Sequence, residues 1–124
     1  MTTGVPGRVL IADDERLFRE VLRDFLTGEG YAVVAVASGA EALVAVPTFQ
    51  PDVILLDMVM PGLSGRHVFD ALRRDGVTVP VILMSGTLPL VEGGDFFRIL
   101  RKPYNLPAVA DAVAAALNLR RGTE

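Results

Sequence analysis

Short apolar runs alternate along the chain with segments whose apolar residues have helical spacing. Five runs of four to six residues are wholly or mostly apolar: 8–12, 31–36, 53–56, 79–84 and 96–100. Because apolar side chains follow one another there without alternation, these runs are typical of strands that are covered on both faces, as in a parallel sheet. The runs therefore predict five buried β-strands.

Several segments outside these runs have the spacing of helices. In the first, paired apolar residues recur every four positions over 17–26, which predicts one apolar stripe and a stop at Gly28. A second helix should open with the capping box Ser38–Glu41 and end near Pro47. A third should begin near Ser64.

The order of these elements predicts a single α/β domain. A last helix, capped by Asn105, should bury an apolar stripe over 106–117. The segment 85–94 holds one proline and three glycines, so a helix between the fourth and fifth strands must be short or degenerate. The alternation implies right-handed crossovers and an open five-stranded parallel sheet with helices on both faces. The predicted units are an N-terminal extension, one domain and a C-terminal tail: 1–7, 8–119 and 120–124.

Composition and charge exclude several classes of protein. The 124-residue chain has a formal net charge of -3 and a pI near 5.1, which argues against a direct role on nucleic acid. It has no cysteine, so disulfides, thiolate metal sites and a cysteine nucleophile are excluded. Its apolar runs are too short to span a bilayer, and the N-terminus lacks a signal-peptide core. We therefore expect a cytoplasmic protein without membrane insertion.

The residues best suited to chemistry follow the carboxyl ends of predicted strands. They are Asp13, Asp14, Asp57, Ser85 and Lys102. In an open parallel sheet, ligands bind in the crevice at this edge. Taken singly, each residue has a structural explanation, such as helix capping for the acidic pair or a turn for the serine. Together, three carboxylates at one edge repel one another, which favours a bound divalent cation.

Such an edge suits phosphoryl transfer. Oxygen ligands favour Mg²⁺, or Mn²⁺, over Zn²⁺. A carboxylate can attack a phosphoryl group and form an aspartyl phosphate, while a metal ion and a lysine neutralise charge on the phosphoryl oxygens. The pattern therefore predicts a magnesium site at which one aspartate is phosphorylated.

Four motifs resemble those of the receiver domains of bacterial response regulators, and the resemblance covers roughly Arg8 to Leu119. The motifs are 9–15, 53–65, 82–86 and 101–104. The segment from Asp57 to Gly65 is the most specific of them. The resemblance implies a flavodoxin-like fold with strand order 2-1-3-4-5. It also implies a phosphorelay in which a histidine kinase or a histidine phosphotransfer protein is the partner.

The resemblance assigns roles to the acidic residues. Asp57 would accept the phosphoryl group from a phosphohistidine of the partner and would also bind Mg²⁺. Asp14 would bind the ion directly, and Asp13 directly or through water. The backbone carbonyl of Val59 would complete the protein ligands.

The same resemblance assigns roles around the phosphoryl group. Ser85 would hydrogen-bond it and Lys102 would pair with its charge. The Lys102–Pro103 bond would be cis. Gly86 would leave space beside the phosphoryl group, and Thr87 would line the entrance.

The chain departs from the family pattern in the region that transmits the phosphorylation signal in receivers. Ile99 stands three residues before the lysine, where receivers usually carry a Tyr or Phe whose ring turns inward on activation. Phe96, Phe97 and Tyr104 are candidates to replace that ring, although core positions are favoured for the two phenylalanines. The serine and the lysine are only 17 positions apart, a shortening similar to that in receivers of hybrid sensor kinases. The adjoining face, which mediates dimerisation or output in many response regulators, should therefore be altered.

Two other functions compete with that of a phosphoacceptor. A haloacid-dehalogenase-like phosphatase needs a second Asp two residues after its nucleophile, where this chain has Val59. A receiver-like docking module that is never phosphorylated would not need the set of acidic residues, serine and lysine. We expect no turnover enzyme, because the domain would catalyse only its own phosphorylation and dephosphorylation. His67, the single histidine, should be a partly exposed helix residue rather than a residue that lines the entrance to the site. The domain would either act alone, as a phosphate shuttle or docking regulator, or belong to a longer protein with a fused kinase or output domain, and the second alternative is slightly favoured.

Overall fold

The computed structural model describes residues 7–86, 96–103 and 105–122, with side chains described up to residue 119. The strands are β1 (Arg8–Ala12), β2 (Ala32–Val36), β3 (Val53–Asp57), β4 (Val81–Ser85) and β5 (Arg98–Arg101). The helices are α1 (Arg16–Gly28), α2 (Gly39–Phe49), α3 (Gly65–Arg74) and α4 (Leu106–Gly122).

All five strands run parallel in one sheet of order β2-β1-β3-β4-β5, which confirms the predicted fold class. The sheet separates two hydrophobic clusters. In β1, Val9 and Ile11 belong to the cluster formed with α1 and α4, whereas Leu10 and Ala12 belong to the cluster formed with α2 and α3. Because both faces are covered, successive strand positions are apolar, which explains the continuous runs in the sequence.

Side-chain caps confirm the predicted starts of two helices. At α2, Ser38 Oγ accepts a hydrogen bond from the Glu41 N–H at 3.1 Å. Glu41 Oε1 in turn accepts one from the Ala37 N–H at 2.8 Å, which completes the capping box. At α4, Asn105 Oδ1 accepts a hydrogen bond from the Ala108 N–H at 2.7 Å.

The apolar stripe of α1 is fully buried only in part. Leu22 and Leu26 are buried, but Leu17, Phe18 and Val21 are 77%, 41% and 48% exposed. Neighbouring residues on a helix point about 100° apart, so a stripe that uses both members of each pair is wider than the face that the sheet covers. The helix therefore presents three apolar side chains to solvent near its start.

Several element ends differ from the predicted ones. The helix α2 continues two residues past Pro47 to Phe49, because a proline so close to the end removes only one hydrogen bond of the last turns. The helix α4 extends to Gly122, three residues beyond the predicted domain end at Leu119. The strand β5 begins at Arg98 rather than at residue 96.

Some predictions fall on parts of the chain that the structure does not describe. The short or degenerate helix between β4 and β5 would lie within residues 87–95, and the N-terminal extension comprises mainly residues 1–6. Among the helices that are described, none combines the length and the apolar composition needed to cross a bilayer.

Candidate functional site

Four adjacent strands bring the predicted site residues to one edge of the sheet. Asp13 directly follows β1, and Asp57 is the last residue of β3. Ser85 is the last residue of β4, and Lys102 directly follows β5. Because β1, β3, β4 and β5 are neighbours in the sheet, their carboxyl ends lie side by side. The edge is held together partly by the Lys102 N–H, which donates a hydrogen bond to the Ser85 carbonyl at 2.7 Å.

The three aspartates form an acidic cluster at this edge. One carboxylate oxygen each from Asp13, Asp14 and Asp57 lies within 4.8 Å of the other two. Asp13 Oδ1 accepts a hydrogen bond from the Glu15 N–H at 2.8 Å. Asp13 Oδ2 is buried and has no hydrogen-bond partner within the described part of the chain. A buried carboxylate oxygen without a donor, next to two further carboxylates, suits a hard divalent cation.

The environment of Asp13 disfavours its charged form. Burial raises the pKa of the Asp13 carboxyl above its ordinary value of 3.8. The hydrogen bond from Glu15 and the charge of Lys102 lower this pKa, but they offset only part of the effect. The negative charges of Asp57 and Asp14 raise it further. A cation bound among the three aspartates would stabilise the carboxylate that burial destabilises.

Lys102 supplies the positive charge of the site. Its Nζ lies 3.1 Å from Asp57 Oδ2 and 4.0 Å from Asp13 Oδ2. The Lys102–Pro103 peptide bond is cis, as predicted. On the side of α1, Nζ lies over the ring of Phe18, 5.6 Å from the ring centroid. The ammonium therefore faces two carboxylates and one aromatic ring.

The loop between β3 and α3 orients Asp57. The Val59 N–H donates a hydrogen bond to Asp57 Oδ1 at 3.2 Å. Gly65, the first residue of α3, packs directly against the end of β3, where an added Cβ would overlap the Asp57 carbonyl oxygen and lie 2.8 Å from Met58 Cα. The Gly65 N–H donates a hydrogen bond to the Met58 carbonyl at 2.9 Å. A residue with a side chain at position 65 would therefore push α3 away from Asp57.

Two residues that contact the site were not singled out by the sequence. The Arg19 guanidinium donates a hydrogen bond to the Asp13 carbonyl at 2.9 Å and so ties α1 to the loop that carries the acidic pair. Phe18, which the sequence assigned to the apolar stripe of α1, is the residue whose ring faces Lys102. Neither the arginine nor the phenylalanine has a spacing that signals these contacts, because both depend on how α1 is placed relative to the site edge of the sheet.

A cavity of about 300 Å³ opens at the centre of these residues. It is lined by Asp14, Glu15, Asp57, Val59, Gly86 and Lys102. An added Cβ on Gly86 would lie 3.9 Å from Lys102 Cβ and Cδ, an ordinary contact, so the predicted spacing role of Gly86 stays a prediction. Thr87, predicted to line the entrance, lies outside the described residues.

The remaining candidates occupy structural positions. His67 is exposed on α3, and its Nδ1 lies 3.0 Å from Ser64 Oγ, which confirms the prediction of an exposed helix histidine. Ile99 is partly buried and packs against the cluster of α2 and α3. Phe96 packs against the same cluster and Phe97 against the opposite one, as the predicted core roles require. Tyr104 lies outside the described residues.

Comparisons with known proteins agree with this geometry. The family described as "Response regulator receiver domain" matches residues 9–114 of the chain. The response regulator MprA of Mycobacterium sp. (strain KMS) is 38% identical over 120 residues, which cover 91% of this chain and 51% of the relative. The DNA-binding response regulator MtrA of Mycobacterium tuberculosis (strain ATCC 25618 / H37Rv) is 32% identical over 117 residues, which cover 89% of this chain and 50% of the relative. The chain thus spans about half the length of these two relatives.

A solved structure is similar over its full length. The response regulator receiver domain protein of Clostridium thermocellum has a TM-score of 0.88 and 25% identity, and the alignment covers 95% of this chain and 99% of that one. Because the two mycobacterial relatives are response regulators, the predicted likeness to receivers of hybrid sensor kinases stays a prediction.

Proposed function

Because this chain belongs to the family of response regulator receiver domains, we propose that it takes a phosphoryl group onto Asp57 from a phosphohistidine of a partner protein. The observation that carries the proposal is the position of the Asp57 carboxylate. It lines an open cavity, lies 3.1 Å from the Lys102 ammonium and forms a cluster with two further aspartates. Members of this family are signalling domains rather than turnover enzymes.

The transfer needs little beyond correct placement of the reacting groups. A carboxylate oxygen of Asp57 forms a new P–O bond as the P–N bond to the donor imidazole breaks, and the imidazole leaves with the electron pair of that bond. The Lys102 ammonium offsets negative charge on the phosphoryl oxygens. The Val59 N–H keeps Asp57 oriented through its hydrogen bond to Oδ1. Hydrolysis of the acyl phosphate by water later returns Asp57 to its carboxylate form.

The acidic residues fit a bound Mg²⁺, with Mn²⁺ as a possible substitute. They offer only oxygen ligands, and Asp13 Oδ2 is buried without a hydrogen-bond partner in the described residues. We propose that Asp13, Asp14, Asp57 and the Val59 carbonyl hold the ion, which when bound would neutralise phosphoryl charge. Asp14, the exposed member of the three aspartates, is best placed to meet an ion that enters from solvent.

Other residues around the cavity complete the proposal. Ser85, buried at the end of β4, would hydrogen-bond the phosphoryl group. Pro103, through its cis bond, belongs to the turn that carries Lys102. Gly86 and Thr87 would shape the entrance.

The exposed start of α1 suits the docking of the phosphohistidine protein. Leu17, Phe18 and Val21 form an apolar face there, and Phe18 contacts the lysine of the site. Isolated exposed apolar residues are common, but three on one face beside a reactive group favour a protein partner. A histidine kinase or a histidine phosphotransfer protein must bring its histidine to Asp57, so its surface would cover this face.

Intact-mass measurement with acetyl phosphate and Mg²⁺ tests the proposal. Wild-type protein should gain one phosphoryl group, and Asp57→Asn or removal of Mg²⁺ with EDTA should abolish the gain. Asp111→Asn, which removes an exposed carboxylate on α4, is the matched control and should behave like wild type. An adduct of equal size on Asp57→Asn would contradict the proposed acceptor. No adduct on wild type would favour a docking module instead.

A further inference from the structure

The ammonium of Lys102 has a partly exposed aromatic neighbour, Phe18 on α1. Phe18 is 41% exposed, whereas Leu22 and Leu26 on the same helix are 1% and 0% exposed. Its ring nonetheless lies beneath Nζ of Lys102, with 5.6 Å between Nζ and the ring centroid. This separation is within the range of a cation–π interaction, about 6 Å.

We propose that Phe18 is a positioning residue for Lys102, an inference that rests on the proposed phosphorylation of Asp57. A lysine carries its charge on a flexible four-carbon stem with many rotamers, so its ammonium needs lateral contacts to stay in one place. Asp57 and Asp13 attract it from the sheet edge, at 3.1 and 4.0 Å. The ring of Phe18 attracts it from the side of α1 and covers it.

The aromatic contact would matter most while the lysine exchanges its partners. Lys102 would pair with the carboxylates before the reaction and with the oxygens of the incoming phosphoryl group during it, and a divalent cation bound to the aspartates would weaken their attraction for the ammonium. The quadrupole of the Phe18 ring is unaffected by either event. It therefore supplies a constant attraction for an ammonium whose other partners change during the reaction.

A small-molecule donor separates this role from protein docking. Acetyl phosphate needs no protein surface, so a change in its rate of transfer reports the site itself. Phe18→Leu keeps an apolar side chain of similar size but removes the aromatic face. We expect this variant to accept phosphate from acetyl phosphate about two- to fivefold more slowly, the change that corresponds to a cation–π interaction at a partly exposed position. Phe18→Tyr should restore the rate.

The control is an exposed apolar side chain remote from the site. Val44 on α2 is 74% exposed, and Val44→Ala should leave the rate unchanged. Replacement of Phe18 by ring-fluorinated phenylalanines provides a second series in which shape is nearly constant and the negative charge on the ring face decreases. The rate of phosphorylation should fall stepwise with the number of fluorines. This series tests the role of the ring even if Phe18→Leu folds poorly.

Nuclear magnetic resonance gives a readout that does not depend on phosphorylation. Protons of the Lys102 side-chain terminus over the ring face should be shifted upfield in wild type and in Phe18→Tyr, and the shift should disappear in Phe18→Leu. Equal rates and equal Lys102 shifts in wild type and Phe18→Leu would overturn the inference. If wild type forms no phosphate adduct at all, the proposed function fails, while the Lys102 shift still decides whether the ring holds the ammonium.

Discussion

The two ends of the sheet are formed by the same strands but differ in how their charged groups are paired. At the amino end, charged groups are paired with the backbone. The Arg8 N–H donates a hydrogen bond to Asp52 Oδ2 at 2.9 Å, and the Arg8 guanidinium donates one to the Phe49 carbonyl at 2.8 Å. The Arg73 guanidinium donates to the Val77 carbonyl at 2.8 Å and connects α3 to the loop before β4. These contacts close loops and give each of these charged side chains a backbone hydrogen-bond partner.

At the carboxyl end, three carboxylates meet a single ammonium within the described residues. Asp13 is fully buried, and one of its oxygens has no donor in that part of the chain. Such an arrangement lowers the stability of the folded protein unless a ligand binds. The amino end of the sheet therefore stabilises the folded protein, whereas the carboxyl end lowers its stability and provides a reactive site.

The largest expected effect concerns the close backbone approach at the carboxyl end. Gly65→Ala would place a Cβ against the Asp57 carbonyl and Met58 Cα, so α3 or the end of β3 must shift. We expect a loss of about 2–3 kcal/mol in the free energy of unfolding. The rate of phosphorylation should also fall, because Asp57 moves with its backbone. Urea unfolding and the acetyl phosphate assay measure the two effects.

Gly28→Ala is the control for this substitution, since an added Cβ at position 28 meets no heavy atom within 4 Å. Its stability should equal or slightly exceed that of wild type. Equal unfolding midpoints for Gly65→Ala and Gly28→Ala would show that the end of β3 can shift without loss of stability. That result would contradict the steric role of Gly65.

A substitution at the amino end should separate stability from activity. Arg73→Ala removes hydrogen bonds to the Val77 and Val79 carbonyls and the stacking of the guanidinium on Phe69, 4.6 Å from the ring centroid. We expect a loss of about 1–3 kcal/mol in the free energy of unfolding and an unchanged rate of phosphorylation. Arg74→Ala, at the exposed neighbouring position, should change stability by less than about 0.5 kcal/mol. A slower phosphorylation of folded Arg73→Ala would contradict the proposed division of roles, in which the amino end contributes to stability and the carboxyl end to reactivity.

The sequence predicted the parts of the molecule that depend on local chemistry. Continuous apolar runs indicated a sheet covered on both faces, and the capping residues Ser38 and Asn105 marked helix starts that the structure confirms. The edge residues were found because strands of a parallel sheet end at the same side, whatever their separation along the chain. The motif around Asp57 indicated the family, and the family pattern predicted the strand order and the cis bond before Pro103.

What the sequence missed depends on how elements pack against one another. Apolar pairs on α1 predicted an apolar stripe but not how much of it is buried, because periodicity indicates a hydrophobic face but not the width of the surface that covers it. The sheet covers Leu22 and Leu26 and leaves Phe18 beside the site. The contacts of Phe18 with Lys102 and of Arg19 with the Asp13 carbonyl join segments that no spacing rule connects.

The smallest expected effect has the opposite sign to the first two. Asp13→Asn removes a buried charge from the acidic cluster, so without metal the variant should be more stable than wild type by about 1 kcal/mol, or roughly 3–6 °C in Tm. Added Mg²⁺ should stabilise wild type and have little effect on the variant. Thermal unfolding with EDTA and with Mg²⁺ measures both changes. Asp111→Asn, at an exposed position of α4, should respond to Mg²⁺ as wild type does.

The pH dependence of this difference identifies its cause. Because burial raises the pKa of Asp13 above 3.8, this residue binds more protons in the folded protein than in the unfolded chain between pH 3.8 and the raised value. The contribution of Asp13 to the stability of wild type therefore falls as pH rises through that window, and Asp13→Asn lacks this loss. The advantage of the variant in urea unfolding with EDTA should be largest at neutral pH, shrink on acidification and vanish below 3.8. If the stability advantage of Asp13→Asn stays constant over this pH range, its cause is packing or hydrogen bonding rather than the buried charge.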